Sequence, residues 1–218
     1  MPDELESATK TYGRAVLGAA FVGLLVVRFL IVSPFHMADT GMAPAIPYGS
    51  HYPVWKYGWS VSPGAVVVYQ LEGSHKRIGR IVGLGGDTIE VRDELLLLNG
   101  DGVQTGASGT TGFALTDCGV GSAKTQDERI GDHLYTVLLD AKPTPEPGDE
   151  DKPIPADHGP VLVPDGEMYI LGDNRTYGND SRQLGTIPTS TIIGGTFSVV
   201  YKRNCGPHDP SLFMRPIP

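Results

Sequence analysis

Basic residues are scarce in this chain: 17 Lys and Arg stand against 25 Asp and Glu, for a net charge of −8. Phosphate binding needs clustered Lys and Arg, so nucleic acid is excluded as the main partner. Cysteine is rarer still. Cys118 and Cys205 are far apart and share no CxxC or metal-ligand spacing, which excludes a zinc ribbon and a dense disulfide framework. The two either pair outside a reducing compartment or stay as thiols, and both readings stand. A phosphate-binding loop is missing too: "GLGGD" at 83–87 lacks the Walker lysine and the GxGxxG spacing. Glycine (29) and proline (18) are plentiful, which favours a turn-rich, mostly β protein over a helical bundle. A length of 218 residues suits one domain, or one domain with an insertion.

There is one long apolar run, "RAVLGAAFVGLLVVRFLIV", from Arg14 to Val32, interrupted within by Arg28. A membrane-crossing helix needs about 20 mainly apolar residues. An arginine near one end can reach back to the interface. A cleaved signal peptide is the rival reading, with Ala15 to Val27 as its apolar core. No A-x-A site follows directly, and Arg28 fits a cleavage region badly, so an uncleaved anchor over 14–32 is expected. Lys10 and Arg14 place the short N-terminus, residues 1–13, on the cytoplasmic side. The rest is expected outside, against the outer face of the inner membrane, as a single-pass protein.

Downstream, β patterns dominate. "VWKYGWSV" and "GAVVVYQ" flank a Ser-Pro-Gly turn signal. The run from His75 to Val103 reads as a strand, a glycine turn, two further strands and an Asn-Gly hairpin. Residues 101–159 change character: Gly, Thr, Asp and Pro accumulate, and "PTPEPGDEDKPIP" is an acidic, proline-rich loop. That stretch is expected to be an insertion lobe. Strand patterns resume over 160–204, and 205–218 is a proline-rich tail. Trp55, Tyr57 and Trp59 would share one face of a strand, as a core cluster or as an interfacial aromatic patch.

"FHMADTGMAP", residues 35–44, has the shape of a reactive loop but contains no Ser or Cys. The segments around it resemble bacterial signal peptidase I, a membrane-anchored serine endopeptidase family. "RFLIVSPFHMADTGMAPAI" is similar to that family's R-x-F-x-x-x-P-F-x-I-P-S-x-S-M-x-P-T-L. "GAVVVY" matches its G-D-I-V-V-F strand, and "GRIVGLGGDTIEVRD" its K-R-V-V-G-L-P-G-D-x-I-E-V-R-D. "LLLNGDGV" fits its hairpin. "GDNRTYGNDSRQLGTIP" is similar to G-D-N-R-x-N-S-x-D-S-R-x-x-G-x-V-P, and it is the most specific match. The two Asn-x-Ser/Thr triplets at 174 and 179 fall inside it and are read as accidents of the motif. The resemblance covers roughly 14–100 and 160–202. It implies an anchor helix followed by an antiparallel β domain of catalytic type, with a smaller β insertion. It implies a Ser nucleophile, a neutral Lys base and an oxyanion hole, with no cofactor and no metal.

Carried over residue by residue, that site is empty. The nucleophile position is Gly41 and the general-base position is Gly79. The lysine-orienting hydroxyl falls at Gly178, and the hydroxyl completing the oxyanion hole falls at Asp39, whose charge would repel an oxyanion. The frame persists in Met42 and Pro44, expected to line a peptide groove, and in the structural motif Arg80, Asp173, Asn174, Arg175, Asp180, Ser181 and Arg182. A relocated nucleophile would fall on Thr40 with Lys76 as base, but both have the wrong strand parity; His36 and His75 are the other candidate bases. The leading expectation is a protein without peptidase activity that holds secreted, membrane-protein or pilin-type segments by strand addition. An active peptidase or an assembly machine would be its partner. The alternatives are a working endopeptidase with a moved nucleophile and a structural envelope protein.

Overall fold

The computed structural model describes residues 2–26, 31–93, 95–106, 108–114, 120–140, 157–176, 179–199, 201–202 and 215–218. Gly178, Arg28, both cysteines and the acidic proline-rich loop lie outside these. Helix α1 (Pro2–Val26) opens the chain, with proline at a first-turn position that needs no N–H partner. Its apolar side chains stand exposed, among them Leu17, Phe21 and Leu24. Among the described residues no helix is long and apolar enough to cross a membrane. Val32, the expected last residue of the anchor, is instead the first residue of a strand.

The strands follow as β1 (Val32–His36), β2 (Ser50–Trp55), β3 (Val66–Gln70), β4 (Lys76–Leu84), β5 (Thr88–Arg92), β6 (Leu95–Leu98) and β7 (Asp101–Gly102). Next come β8 (Gly109–Ala114), β9 (Val120–Ile130), β10 (His133–Leu139), β11 (His158–Leu162) and β12 (Glu167–Leu171). A one-turn helix α2 (Ser181–Leu184) precedes β13 (Ile187–Pro188), β14 (Ile192–Thr196), β15 (Ser198–Val199), β16 (Tyr201–Lys202) and β17 (Arg215–Pro216). The protein is mostly β, and among the described residues every ladder between two strands is antiparallel.

The largest sheet runs β1-β2-β14-β3-β4-β12-β13, with β16 also on β2. A second has the order β11-β5-β6-β7 and a third β10-β9-β8, while β15 pairs β17. The expected turns fall where left-handed backbone is needed. Gly86 (φ 92°) turns β4 into β5, and Asn99 (φ 56°) with Gly100 (φ 88°) turns β6 into β7, as a two-residue hairpin demands.

Strand β3 reads Val-Val-Val-Tyr because both of its faces are covered. Val66 and Val68 enter a core with Met37, Met42, Ile46 and Val54. Val67 and Tyr69 point the other way, into a core with Ile81, Met168 and Ile170. A third core joins Val82, Tyr169 and Leu171 to Tyr135 and Val137 of β10. Residues of the 101–159 stretch thus share a core with β4 and β12.

The three aromatic rings do not share a face. Only Trp55 lies in a strand, stacked on Phe197 at 5.6 Å between centroids. Trp59 packs against the core of Val67 and Ile170, and Tyr57 is exposed. Glycine at 58 (φ 77°) turns the backbone and breaks the strand alternation.

Candidate functional site

The loop between β1 and β2 is folded down from inside. Met37, Met42 and Ile46 are fully buried in one apolar core. Backbone bonds from Ala43 N to Thr40 O (3.1 Å) and from Ile46 N to Met42 O (2.8 Å) wind it into consecutive turns. Met42 therefore supports the loop from beneath, and its full burial removes it from any groove wall. Pro44 is half-buried. Asp39 is exposed, and its Oδ1 accepts a hydrogen bond from the Gly41 N–H at 2.8 Å. Thr40 is only 5 % exposed, so a nucleophile there would face the interior.

The segment 170–175 stands beside this loop and touches everything around it. The Asn174 N–H donates to Gly41 O (3.0 Å), and its Nδ2 donates to Thr40 O (3.3 Å). On its other side Leu138 N donates to Asp173 O (2.8 Å), and Arg175 N to Leu138 O (2.9 Å). A parallel bridge at Leu138 and Asn174 thus ties β10 to the segment.

Three buried ion pairs lock it. Arg80 donates from Nε and Nη2 to the two oxygens of Asp173, each at 2.8 Å. Its Nη1 donates to Gly64 O and Pro218 O, and its guanidinium lies 4.0 Å from the Tyr135 ring centroid. Arg175 grips Glu128 with two nitrogens and donates to Gly172 O. Arg182 donates to both oxygens of Asp180 and to Arg175 O. Asp180 in turn accepts from Gly172 N at 3.1 Å, and Ser181 Oγ from Ile170 N at 2.9 Å. Burial by itself would push the Arg80 and Arg175 guanidiniums down, but the facing Asp173 and Glu128 carboxylates outweigh it, and both lie above the ordinary arginine value. Pairing of this completeness is what makes a buried charge tolerable.

Glu128 had no motif to announce it. Its signal was weak: it lies two residues before Ile130, so on a strand it shares that residue's inward face.

The space beside Gly79, where the resemblance would put the base, is filled. Gly79 pairs with Val67, and a Cβ placed on it would lie 2.2 Å from Ile170 Cγ2. No side chain fits there until Ile170, fully buried, gives way. Gly41 and Gly79 flank the same segment, one against Asn174 and the other against Ile170 and Leu171. Lys76 lies on the exposed opening residue of β4, with Nζ 5.1 Å from the Phe35 centroid. The ladder between β4 and β12 begins only at Arg80, so, among the described residues, 76–79 pair with β3 alone. Among the described residues, strand β1 likewise pairs only β2. The Lys76–Phe35 contact joins the opening of β4 to β1.

A family profile described as signal peptidase, peptidase S26, matches residues 9–201. The signal peptidase I of Bacillus licheniformis is 26% identical over 198 residues, covering 88% of each chain. Signal peptidase I T of Bacillus subtilis strain 168 is 27% identical over 204 residues, 90% of this chain and 89% of the relative. A solved signal peptidase I from Enterococcus faecalis V583 aligns with TM-score 0.36 and 17% identity, over 64% of this chain and 98% of that one. The profile match takes in the loop at 37–49, both empty positions and the ion-paired segment in one continuous span: this chain belongs to the signal peptidase family, peptidase S26.

Proposed function

We propose that this protein is a membrane-anchored member of its family that holds an extended peptide segment without cutting it. One observation carries the reading. The buried charges around the site are paired, while Gly41 and Gly79 leave its floor without nucleophile or base, and Ile170 occupies the space a base would need. Acyl transfer needs a nucleophile within hydrogen-bond reach of a base. Strand addition needs only open backbone donors and acceptors; the edges offered for it are β1, which pairs β2 alone among the described residues, and the exposed opening of β4. Supporting the anchor are the exposed apolar side chains of α1 and the apolar residues that continue the run past its end. The ligand is a secreted or membrane-protein segment with small side chains, and the partner an active peptidase or an assembly machine.

The test pairs turnover with capture. The full chain in detergent should leave a preprotein uncut, and a photocrosslinker at position 41 should capture peptides rich in small residues. Turnover that persists in Thr40→Ala and Lys76→Ala variants would overturn the reading. Capture of no peptide would leave a structural envelope role in its place.

A further inference from the structure

We infer that the edge of β15 is a peptide-binding slot that the chain's own residues 215–218 fill in cis. In trans it takes an extended segment with an aliphatic side chain in the place of Ile217. The inference goes beyond the peptide reading above and does not depend on it: it concerns a different edge, and here a bound segment is seen in place.

The occupant is held as a ligand is held. Ser198 of β15 lies opposite Pro216, and Val199 opposite Arg215. The pairing extends one residue further, where Ile217 N donates to Phe197 O at 2.8 Å. Ile217 is 9% exposed and stands between exposed Pro216 and Pro218, so a single side chain anchors these three residues. It enters the core of Met37, Met42, Val54, Val66 and Val199. Arg80 Nη1 then donates to Pro218 O at 2.7 Å. One strand edge, one apolar notch and one guanidinium define the slot, which is how sheet edges take up extended peptides.

The occupant's sequence suits an edge. Successive N–H groups of an antiparallel strand point to opposite sides. Ile217 turns its N–H toward β15, so those of its two neighbours would point away. Both neighbours are prolines and have none, which keeps a further strand from adding beyond them. The contacts are also few. A short strand with one anchoring side chain belongs to the low-stability end of a fold and opens locally. The filling is incomplete as well: a cavity of about 280 Å³ lies against the segment, lined by Trp59, His133 and Phe197 together with Ile217 and Pro218. The slot therefore has room for a bulkier occupant than Pro218. Exchange there would reach the frame, because Arg80 also pairs Asp173 and Met42 shares the core of Ile217.

The experiment uses a fluorescein-labelled peptide of residues 211–218, Ser-Leu-Phe-Met-Arg-Pro-Ile-Pro, read by fluorescence anisotropy on the full chain in neutral detergent. On the native chain the tethered segment competes, and the apparent affinity falls with the fraction of time the slot is open. Ile217→Asp in the chain places a charge in the apolar notch and expels the tethered segment. The probe should then bind about tenfold or more tightly than to the native chain. Ile217→Ala empties the notch without adding a charge and should give an affinity between the two. A probe carrying Ile217→Asp should bind none of the three proteins. In the native chain the Ile217 amide should exchange its hydrogen about tenfold or more faster than the Ile81 amide, which is bonded to Ala65 O. No gain in probe affinity in either variant, equal affinity of the two probes, or exchange at Ile217 no faster than at Ile81 overturns the inference. Each of these results leaves the reading of the β1 and β4 edges untouched.

Discussion

The ion-paired segment and the glycine floor are neighbours in space and opposites in chemistry. In the ion-paired segment the guanidiniums of Arg80, Arg175 and Arg182 are each met by a carboxylate and at least one carbonyl. At Gly41 and Gly79 there is no side chain at all. The difference follows from what each loss would cost. Deleting one partner of a buried pair strands the other charge in low dielectric, at about 3–5 kcal/mol. Deleting an active-site hydroxyl or amine from a floor leaves no unpaired charge, and apolar packing can close over it, as Ile170 does over Gly79. A site can therefore lose its chemistry while its frame persists.

The largest expected effect tests whether the floor is only empty or also closed. Gly41→Ser with Gly79→Lys should still give no preprotein cleavage, because the lysine has nowhere to go. Adding Ile170→Ala and Asp39→Ser should open the space, remove the adverse charge and give measurable turnover. Cleavage by the double variant alone would show that Ile170 does not close the site.

Next in size is the frame. Glu128→Ala should lower stability by about 3–5 kcal/mol in urea unfolding, since Arg175 is then buried unpaired. Glu128→Leu with Arg175→Met should cost less than the single change. If the double variant is the weaker of the two, the pair is contributing stability beyond mutual compensation, and the contrast drawn here fails.

A smaller effect is expected at the floor itself. Gly79→Ala should destabilise by about 1–3 kcal/mol, the range for overpacking a core. Ile170→Leu removes the branch methyl that the new Cβ would meet and should recover part of the loss. Additive effects in that double-mutant cycle would mean the two positions do not press on each other.

The smallest change is reserved for a pair of the same chemistry in a different place. Arg92 and Glu90 form an exposed ion pair, with the arginine side chain 62% exposed. Arg92→Ala should shift stability by no more than about 1 kcal/mol. A loss as large as that from Glu128→Ala would mean that burial is not what separates the two.

Much of this was legible in the chain. The apolar run of β3, the Asn99-Gly100 turn and the motif from Gly172 to Arg182 each follow from local pattern, and β3 lies where that run puts it. Other features were not. The strand reading of Trp55, Tyr57 and Trp59 failed because a glycine turn at 58 intervenes. Met42 read as a groove residue because sequence position cannot tell which way a loop packs. Glu128 and Ile170 carry no motif, and their roles exist only because β9 and β12 approach the site from distant parts of the chain.

By itself, then, the sequence determined the family, the mostly β class and the glycines at 41 and 79, because those depend on residue identity at spaced positions. Only the tertiary structure decided that three ion pairs are buried, that Ile170 fills the space beside Gly79 and that Asp39 caps the Gly41 N–H. Those depend on which side chains long-range strand pairing brings together and how much water it leaves between them.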